Sequence, residues 1–385
     1  MSNEISVASE ALRGAIASAG RGLVEREALV ELVALAAVAA EHVLVIGAPG
    51  TAKSEAVRRI ARALGGQYFE YLLGRFTEPS EIFGPVDIRK LKEGTVETDT
   101  QGMLPEAEIA FLDEIFQGST AILNTLLGVL NERRFLRGHT QLNCPLRVCV
   151  GASNALPDDE SLAAFADRFM VRIFLDSIPD PLLEDLLEGG WSLLETSAGQ
   201  NASMADLDAL ATAARKADLS RIRPLLAHAI RALRKAGISL SDRRIVRCQK
   251  LVAAAAVLAG RMTPEDSDLW PIIYAIPTRD QQLLAQDCLR EMLGRSQNET
   301  LSAAAEEASL GPLARATRIS AAASALLDSP PDGGSAEEHE AWMLRLEGVA
   351  RDIDACFGAD QLPTGLADLR AKIVRLLAPD EAAVS

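Results

Sequence analysis

An apolar run, His42-Val-Leu-Val-Ile46, passes straight into Gly47-Ala-Pro-Gly-Thr-Ala-Lys53-Ser54, which opens the helical run Glu55-Ala-Val-Arg-Arg-Ile-Ala-Arg-Ala-Leu64. Strand, glycine-bearing loop closed by Lys-Ser, and helix are the parts of a phosphate-binding loop, and this order points to a sheet that carries ligand at its strand ends. Backbone N–H groups of the loop and of the helix start would surround a β-phosphate. Lys53 would reach the β/γ oxygens, and Ser54 would hold Mg²⁺. The candidate contacts run through Gly47, Ala48, Pro49, Gly50, Thr51, Ala52, Lys53, Ser54 and Glu55. The pattern G-x-x-x-x-G-K-[ST] is broken once, by Ala52 where glycine is usual. If that position is at the helix start with a helical backbone, alanine costs little there, because no positive φ is demanded.

A second run, Ile109-Ala-Phe-Leu112, ends in Asp113-Glu114. Two carboxylates at the C-terminal end of a strand lie where an α/β sheet binds ligands. Asp113 is placed to accept from the water shell of Mg²⁺, which makes Asp113 and Ser54 the metal-side pair, while Glu114 is placed to polarise an attacking water. A further strand ends Val150-Gly-Ala-Ser-Asn154 and sets an amide beside them, able to orient water or sense a γ-phosphate.

From about residue 20 to 178, helical patterns alternate with short β-rich runs, the others being Tyr68–Leu72, Arg147–Val150 and Val171–Leu175. That alternation predicts an α/β fold with a mostly parallel central sheet. After Ile178-Pro-Asp-Pro181 the β-rich runs cease and Leu/Ala periodicity continues to the C-terminus, so the second part is all-helical. The predicted divisions are a core over 1–178, a helical segment over 179–294 and a helical extension over 295–385, with a Pro/Gly/Ser linker at 329–335.

Composition narrows the partners. Only 4% of the 385 residues are aromatic against 48% hydrophobic, which favours helices with Leu/Ala-lined cores. The net charge of −15 repels phosphate backbones and anionic lipid, so nucleic acid is an unfavoured partner. Five scattered cysteines without a Cys-x-x-Cys pair support neither zinc nor a disulfide framework, and each reads as a small buried hydrophobe in a reducing cytosol. The N-terminus lacks a secretory pattern, and the most apolar stretch, residues 28–46, is interrupted by Glu31 and Glu41, so no membrane span is expected and the localisation reads as cytoplasmic. Trp191, Trp270 and Trp342 read as helix-packing residues.

The order of phosphate loop, Asp-Glu strand, Asn-ended strand and Asp167-Arg168-Phe169 before a fifth strand resembles the AAA+ ATPases. Within them, Gly74-Arg-Phe-Thr-Glu-Pro-Ser-Glu-Ile-Phe-Gly-Pro-Val86, Gly102–Glu108 and Ile122–Arg133 resemble the MoxR family, most closely its RavA branch, over about residues 18 to 260. The resemblance implies an AAA+ αβα core with a parallel five-stranded sheet, an all-helical lid, and a homo-oligomeric ring, usually a hexamer, that binds ATP between subunits. Arg168 then matches an arginine finger supplied in trans, and Arg243, in preference to Arg244, the sensor-2 arginine of the lid. Val24 and Glu25 match an adenine-contacting strip.

Two inserts complete the pattern. Residues 86–97 read as a small hairpin, matching a helix-2 insert, and Arg134–Leu142 as a second hairpin turning at Gly138. Arg133, Arg134 and Arg137 could grip a polypeptide or form a solvated edge. The resemblance implies an ATP-hydrolysing ring that remodels, activates or assembles a protein client, working with a von Willebrand factor A-domain adaptor. The alternatives are a nucleotide-gated binding scaffold with little turnover and, less favoured by the charge, a nucleic-acid translocase.

Overall fold

A computed structural model describes residues 2–195, 199, 201–311, 320, 323–324, 326–331, 336–356 and 364–377. Two helices, α1 (Ser2–Gly20) and α2 (Glu27–Ala39), lead into β1 (Val43–Gly47) and α3 (Lys53–Leu64). Next come β2 (Tyr68–Leu72), the short helices α4 (Pro79–Phe83) and α5 (Ile88–Lys92), β3 (Ile109–Asp113), α6 (Thr120–Glu132), the pair β4 (Arg134–Arg137) and β5 (Thr140–Asn143), β6 (Val148–Ser153), α7 (Glu160–Ala166) and β7 (Val171–Leu175). The remainder is helical: α8 (Leu183–Glu195), α9 (Met204–Lys216), α10 (Ile222–Lys235), α11 (Asp242–Leu258), α12 (Arg279–Cys288), α13 (Arg290–Leu293), α14 (Ser302–Leu310), α15 (Ala336–Cys356) and α16 (Thr364–Leu377). No described helix is long and apolar enough to cross a membrane.

Five strands form a wholly parallel sheet in the order β2-β3-β6-β1-β7. Its central strands are buried on both faces, and the period-2 alternation of strand side chains divides their residues between two cores. Val43, Val45, Ile109, Phe111, Val148, Val150, Val171 and Ile173 join α1, α2, α3, α9 and α11 on one side. Leu44, Ile46, Ala110, Leu112 and Cys149 join Phe83, α6, Phe135 and Phe169 on the other. This is the expected αβα core followed by helices. The helical part shares the first core, through Leu207, Leu251, Trp270 and Ile273 among others. Residues on α15 and α16 pack into a small core of their own with Ala323.

Several local elements depart from expectation. The 86–97 insert closes through one antiparallel bridge, Val86 to Thr98, but α5 occupies its tip because the Asp87 carboxylate accepts from the Arg89 and Lys90 amides. The second hairpin turns at Gly138, φ +59°, where an added Cβ would lie 2.8 Å from the Val96 carbonyl oxygen, so the two inserts touch. Arg137 donates to the Gly84 carbonyl at 3.2 Å, and Arg133 donates to the Ala40 and Arg147 carbonyls and packs on His42. Both side chains therefore brace the fold instead of standing free for a polypeptide; Arg134 is exposed. Trp270 is buried, but Trp191 is 72% exposed, contrary to a packing role. Cys288 is likewise exposed, whereas Cys144, Cys149 and Cys248 are buried thiols. Residues 332–335 of the expected linker lie outside the described residues.

Candidate active site

The strand order brings three strand ends together. β3, β6 and β1 are neighbours, with Ile46 of β1 in register with Ser153 of β6 and Leu112 of β3 in register with Gly151. The residues at the three strand ends therefore converge on one edge: the phosphate loop after β1, Asp113-Glu114 at β3, and Asn154 after β6.

Gly47 closes β1 so tightly against β7 that an added Cβ would stand 2.9 Å from the Leu175 carbonyl oxygen. Ala48, Pro49 and Gly50 form the exposed crest of the loop, with Gly50 at φ +80°. Thr51 Oγ1 donates to the Ala48 carbonyl at 2.8 Å. Ala52 has φ +58°, ψ 26°, the left-handed region, so the helical backbone that would have made alanine inexpensive is not present there. The loop must reverse before α3 begins, and this position makes the turn, so an L-residue carries a cost of roughly 1–2 kcal/mol where glycine would carry little. Ser54 and Glu55, both half-buried, follow in the first turn of α3.

Lys53 is 7% exposed and folds back along the loop, donating to the carbonyls of Gly47 at 2.7 Å and Ala48 at 3.0 Å. Burial lowers its pKa, and the carboxylates of Asp113 and Glu114 oppose that shift. Glu114 also sits in the left-handed region, φ 49°, ψ 46°, with its amide donating to Asp113 Oδ1 at 3.0 Å. Asn154 Nδ2 donates to Glu114 Oε1 at 2.8 Å. Among the described residues five non-glycines have positive φ, and three of them, Glu25, Ala52 and Glu114, belong to the candidate site, as expected where backbone strain is held in place by surrounding contacts.

Arg26 is a site residue that the sequence pattern did not mark. Buried, it donates to the carbonyls of Thr51 at 2.8 Å, Glu25 at 2.6 Å and Asp176 at 2.9 Å, tying the loop to the segment before α2 and to the end of β7. These three acceptors are backbone oxygens, which leave no spacing signal. Glu25 lines a cleft of about 560 Å³ with the end of β7, Arg279 and Gln282. Val24 is half-buried and is not part of that lining.

Arg168 and Arg243 form a separate group. The charges acting on Lys53 are Asp113, Glu114 and Arg26, whereas those acting on Arg168 are Arg243, Asp167 and Arg247. Burial first, then the Arg243 cation, lowers the Arg168 pKa. Arg243 is exposed in the first turn of α11, while Arg244 is buried and committed to protein partners.

The residues fit a magnesium-bound nucleoside triphosphate. A glycine crest with backbone exposed, a lysine ammonium lying along it, a serine at the helix start and two carboxylates opposite supply anion and cation contacts of the right kind at one edge.

Fold and site together are of the AAA+ kind, a phosphate-loop αβα core followed by a helical lid. Residues 10–212 match the profile of the MoxR domain in the MoxR-vWA-beta-propeller ternary systems, and residues 218–284 match that of an AAA lid domain. The chain belongs to the MoxR family of AAA+ ATPases. It is 37% identical over 250 residues to the uncharacterised protein MJ0812 of Methanocaldococcus jannaschii, an alignment covering 64% of this chain and 65% of that protein. It is 30% identical over 166 residues to chaperone MoxR1 of Mycobacterium tuberculosis, covering 42% and 43% respectively. The chain thus spans just under two thirds of the length of the archaeal relative and less of the chaperone. A solved structure from Cytophaga hutchinsonii, described as a candidate ATPase, superimposes with TM-score 0.61 at 16% identity, covering 77% of this chain and 97% of that one, and shares the fold.

Proposed function

We propose that this chain hydrolyses ATP to ADP and phosphate as a homo-oligomeric ring, a hexamer by family resemblance, and uses the cycle to remodel, activate or assemble a protein client. The observation that carries the reading is the convergence of Lys53, Asp113, Glu114 and Asn154 on one sheet edge. Bound Mg²⁺ would neutralise triphosphate charge, and Ser54 and Asp113 are the residues placed to hold it. Loop amides and Lys53 grip the phosphates. Glu114, oriented by Asn154, polarises the attacking water. Arg168, whose neighbouring cations are Arg243 and Arg247, suits a finger acting on the nucleotide of a neighbouring subunit, and Arg243, exposed in the first turn of α11, suits the sensor-2 role of the lid. Glu25, on the cleft that Arg26 and the end of β7 also line, supports its own adenine-side assignment, while that of Val24 rests on the family resemblance.

The match to a domain of MoxR-vWA-beta-propeller systems favours a von Willebrand factor A-domain adaptor as the working partner. The segments Gly74–Val86 and Ile122–Arg133 support a place near the RavA branch, and free, mostly buried cysteines suit a cytoplasmic protein. The test is magnesium-dependent phosphate release by the purified chain: Lys53→Ala loses ATP binding and Glu114→Gln keeps binding without turnover. Wild-type protein that binds ATP without releasing phosphate, with or without an adaptor, favours the nucleotide-gated scaffold instead.

A further inference from the structure

The short segment that carries Arg168 is held by two buried arginines from different parts of the chain. Arg172, in β7, donates to the carbonyls of Ala166 at 2.6 Å and Phe169 at 3.3 Å, fixing the segment to the sheet it precedes. The second is Arg244, from α11 in the lid. Its Nε donates to Asp167 Oδ1 at 2.5 Å, its Nη2 to the Phe169 carbonyl at 2.8 Å, and its Nη1 to the carbonyls of Met170 at 3.0 Å and Ala275 at 2.6 Å. Arg244 therefore holds the residue before Arg168 and the two residues after it, and none of these four hydrogen bonds is to Arg168 itself.

We infer that Arg244 is a positioning residue that couples the lid to the arginine finger. It grips Asp167, Phe169 and Met170 so that the direction in which Arg168 is presented follows the position of α11. This rests on the reading of Arg168 as a finger acting on a neighbour's nucleotide. Three features make the coupling specific. First, a guanidinium offers five donors in a rigid plane, and three of the four bonds made here reach residues on both sides of Arg168 while the fourth, to Ala275, fixes the plane further, which an ammonium could not reproduce. Second, Arg244 is 1% exposed, so these bonds meet little competition from water, and losing any of them leaves a buried polar group unpaired. Third, the same helix carries Arg243, whose charge acts on Arg168, so a shift of α11 moves a repelling cation and the clamp of the finger segment together. A second tie holds α11 to the sheet: the buried Glu41, just before β1, pairs with Arg247 at 3.2 Å and Lys250 at 2.8 Å. The lid helix and the finger are thus fixed to one another through the base of the sheet, and a finger displaced by even ~1 Å is enough to cost a large factor in rate.

The experiment separates a finger-positioning role from a general contribution to folding. One chain carries Lys53→Ala and supplies only a finger; a second carries Arg168→Ala and supplies only a nucleotide site. In rings mixed from the two, all turnover comes from a finger on the first chain acting on a site of the second. Adding Arg244→Lys to the finger-supplying chain is expected to lower mixed-ring turnover roughly tenfold, and adding Asp167→Ala, which leaves the carbonyl bonds of Arg244 in place, to lower it less. Adding either substitution to the site-supplying chain is expected to leave turnover and ATP affinity unchanged. Equal losses whichever chain carries the substitution, or no loss in either, overturn the coupling while leaving the finger assignment standing. Should the parental mixture itself show no turnover although wild-type rings do, the trans role of Arg168 falls, and the inference with it. Asp167→Ala provides the decisive reading if Arg244→Lys does not fold, because Asp167 is half-buried and lies at the rim of the clamp.

Discussion

Asn154 Nδ2 stands 2.8 Å from Glu114 Oε1, a hydrogen bond that joins the end of β6 to the end of β3. The amide fixes which carboxylate oxygen remains available to a water, and it does so from a neighbouring strand whose register is set by the sheet. Replacing Asn154 by Ala is expected to lower ATP turnover by on the order of tenfold or more while ATP affinity holds, because it removes orientation and not charge. Glu114→Gln is expected to cost more, about 10²-fold or beyond, for it removes the base. Steady-state phosphate release together with equilibrium nucleotide binding checks both. An Asn154→Ala chain with unaltered turnover contradicts the role assigned to the pair.

Ala52 tests the strain in the phosphate loop. Its side chain is exposed, so Ala52→Gly loses no packing, and the glycine accepts the left-handed backbone freely. Part of the gain is offset by the greater entropy of glycine in the unfolded chain, leaving an expected net stabilisation of roughly 0.5–1 kcal/mol. Denaturant midpoints of the two proteins measure it. A lower midpoint for Ala52→Gly contradicts the strain argument.

Glu31 gives the fold a pH dependence. Its carboxylate, buried on α2, accepts from the Ala303 and Ala304 amides at the start of α14, at 3.2 and 2.7 Å. Burial pushes its pKa up to about 7, against the pull of those two amides. A carboxyl whose pKa is higher folded than unfolded stabilises the native state below the ordinary carboxylate range and loses that contribution as pH rises through about 7. Stability is therefore expected to fall between about pH 4.5 and 7.5, with Glu31 contributing on the order of 3 kcal/mol of that change. Glu31→Gln should flatten this slope. Unfolding curves recorded at several pH values decide, and an unchanged slope in the variant contradicts the assignment.

The sheet was legible because strands buried on both faces must be short apolar runs. Tyr68–Leu72 and Val171–Leu175 begin and end where their residues suggest, and β6 runs on through Gly151, Ala152 and Ser153, small enough to continue the ladder beside β1, so that it stops one residue short of the expected end at Asn154. The loop residues and Asp113-Glu114 carried their own chemistry in their identities and order. Backbone-directed side chains were not legible in the same way. Arg26, Arg133 and Arg244 are surface-type residues in sequence, yet each bonds carbonyl oxygens brought together only by the fold. The left-handed turn at Ala52 was missed for a related reason: glycine is the usual mark of that conformation, and here an alanine adopts it.

The central claim is that a nucleotide gripped by Lys53 of one subunit is hydrolysed with the help of Arg168 from the next. The direct measurement is phosphate release by rings assembled from Lys53→Ala and Arg168→Ala chains, each inactive alone. Recovery of part of the wild-type turnover on mixing is the predicted result. Mixtures that assemble yet stay as inactive as their separate components would contradict it.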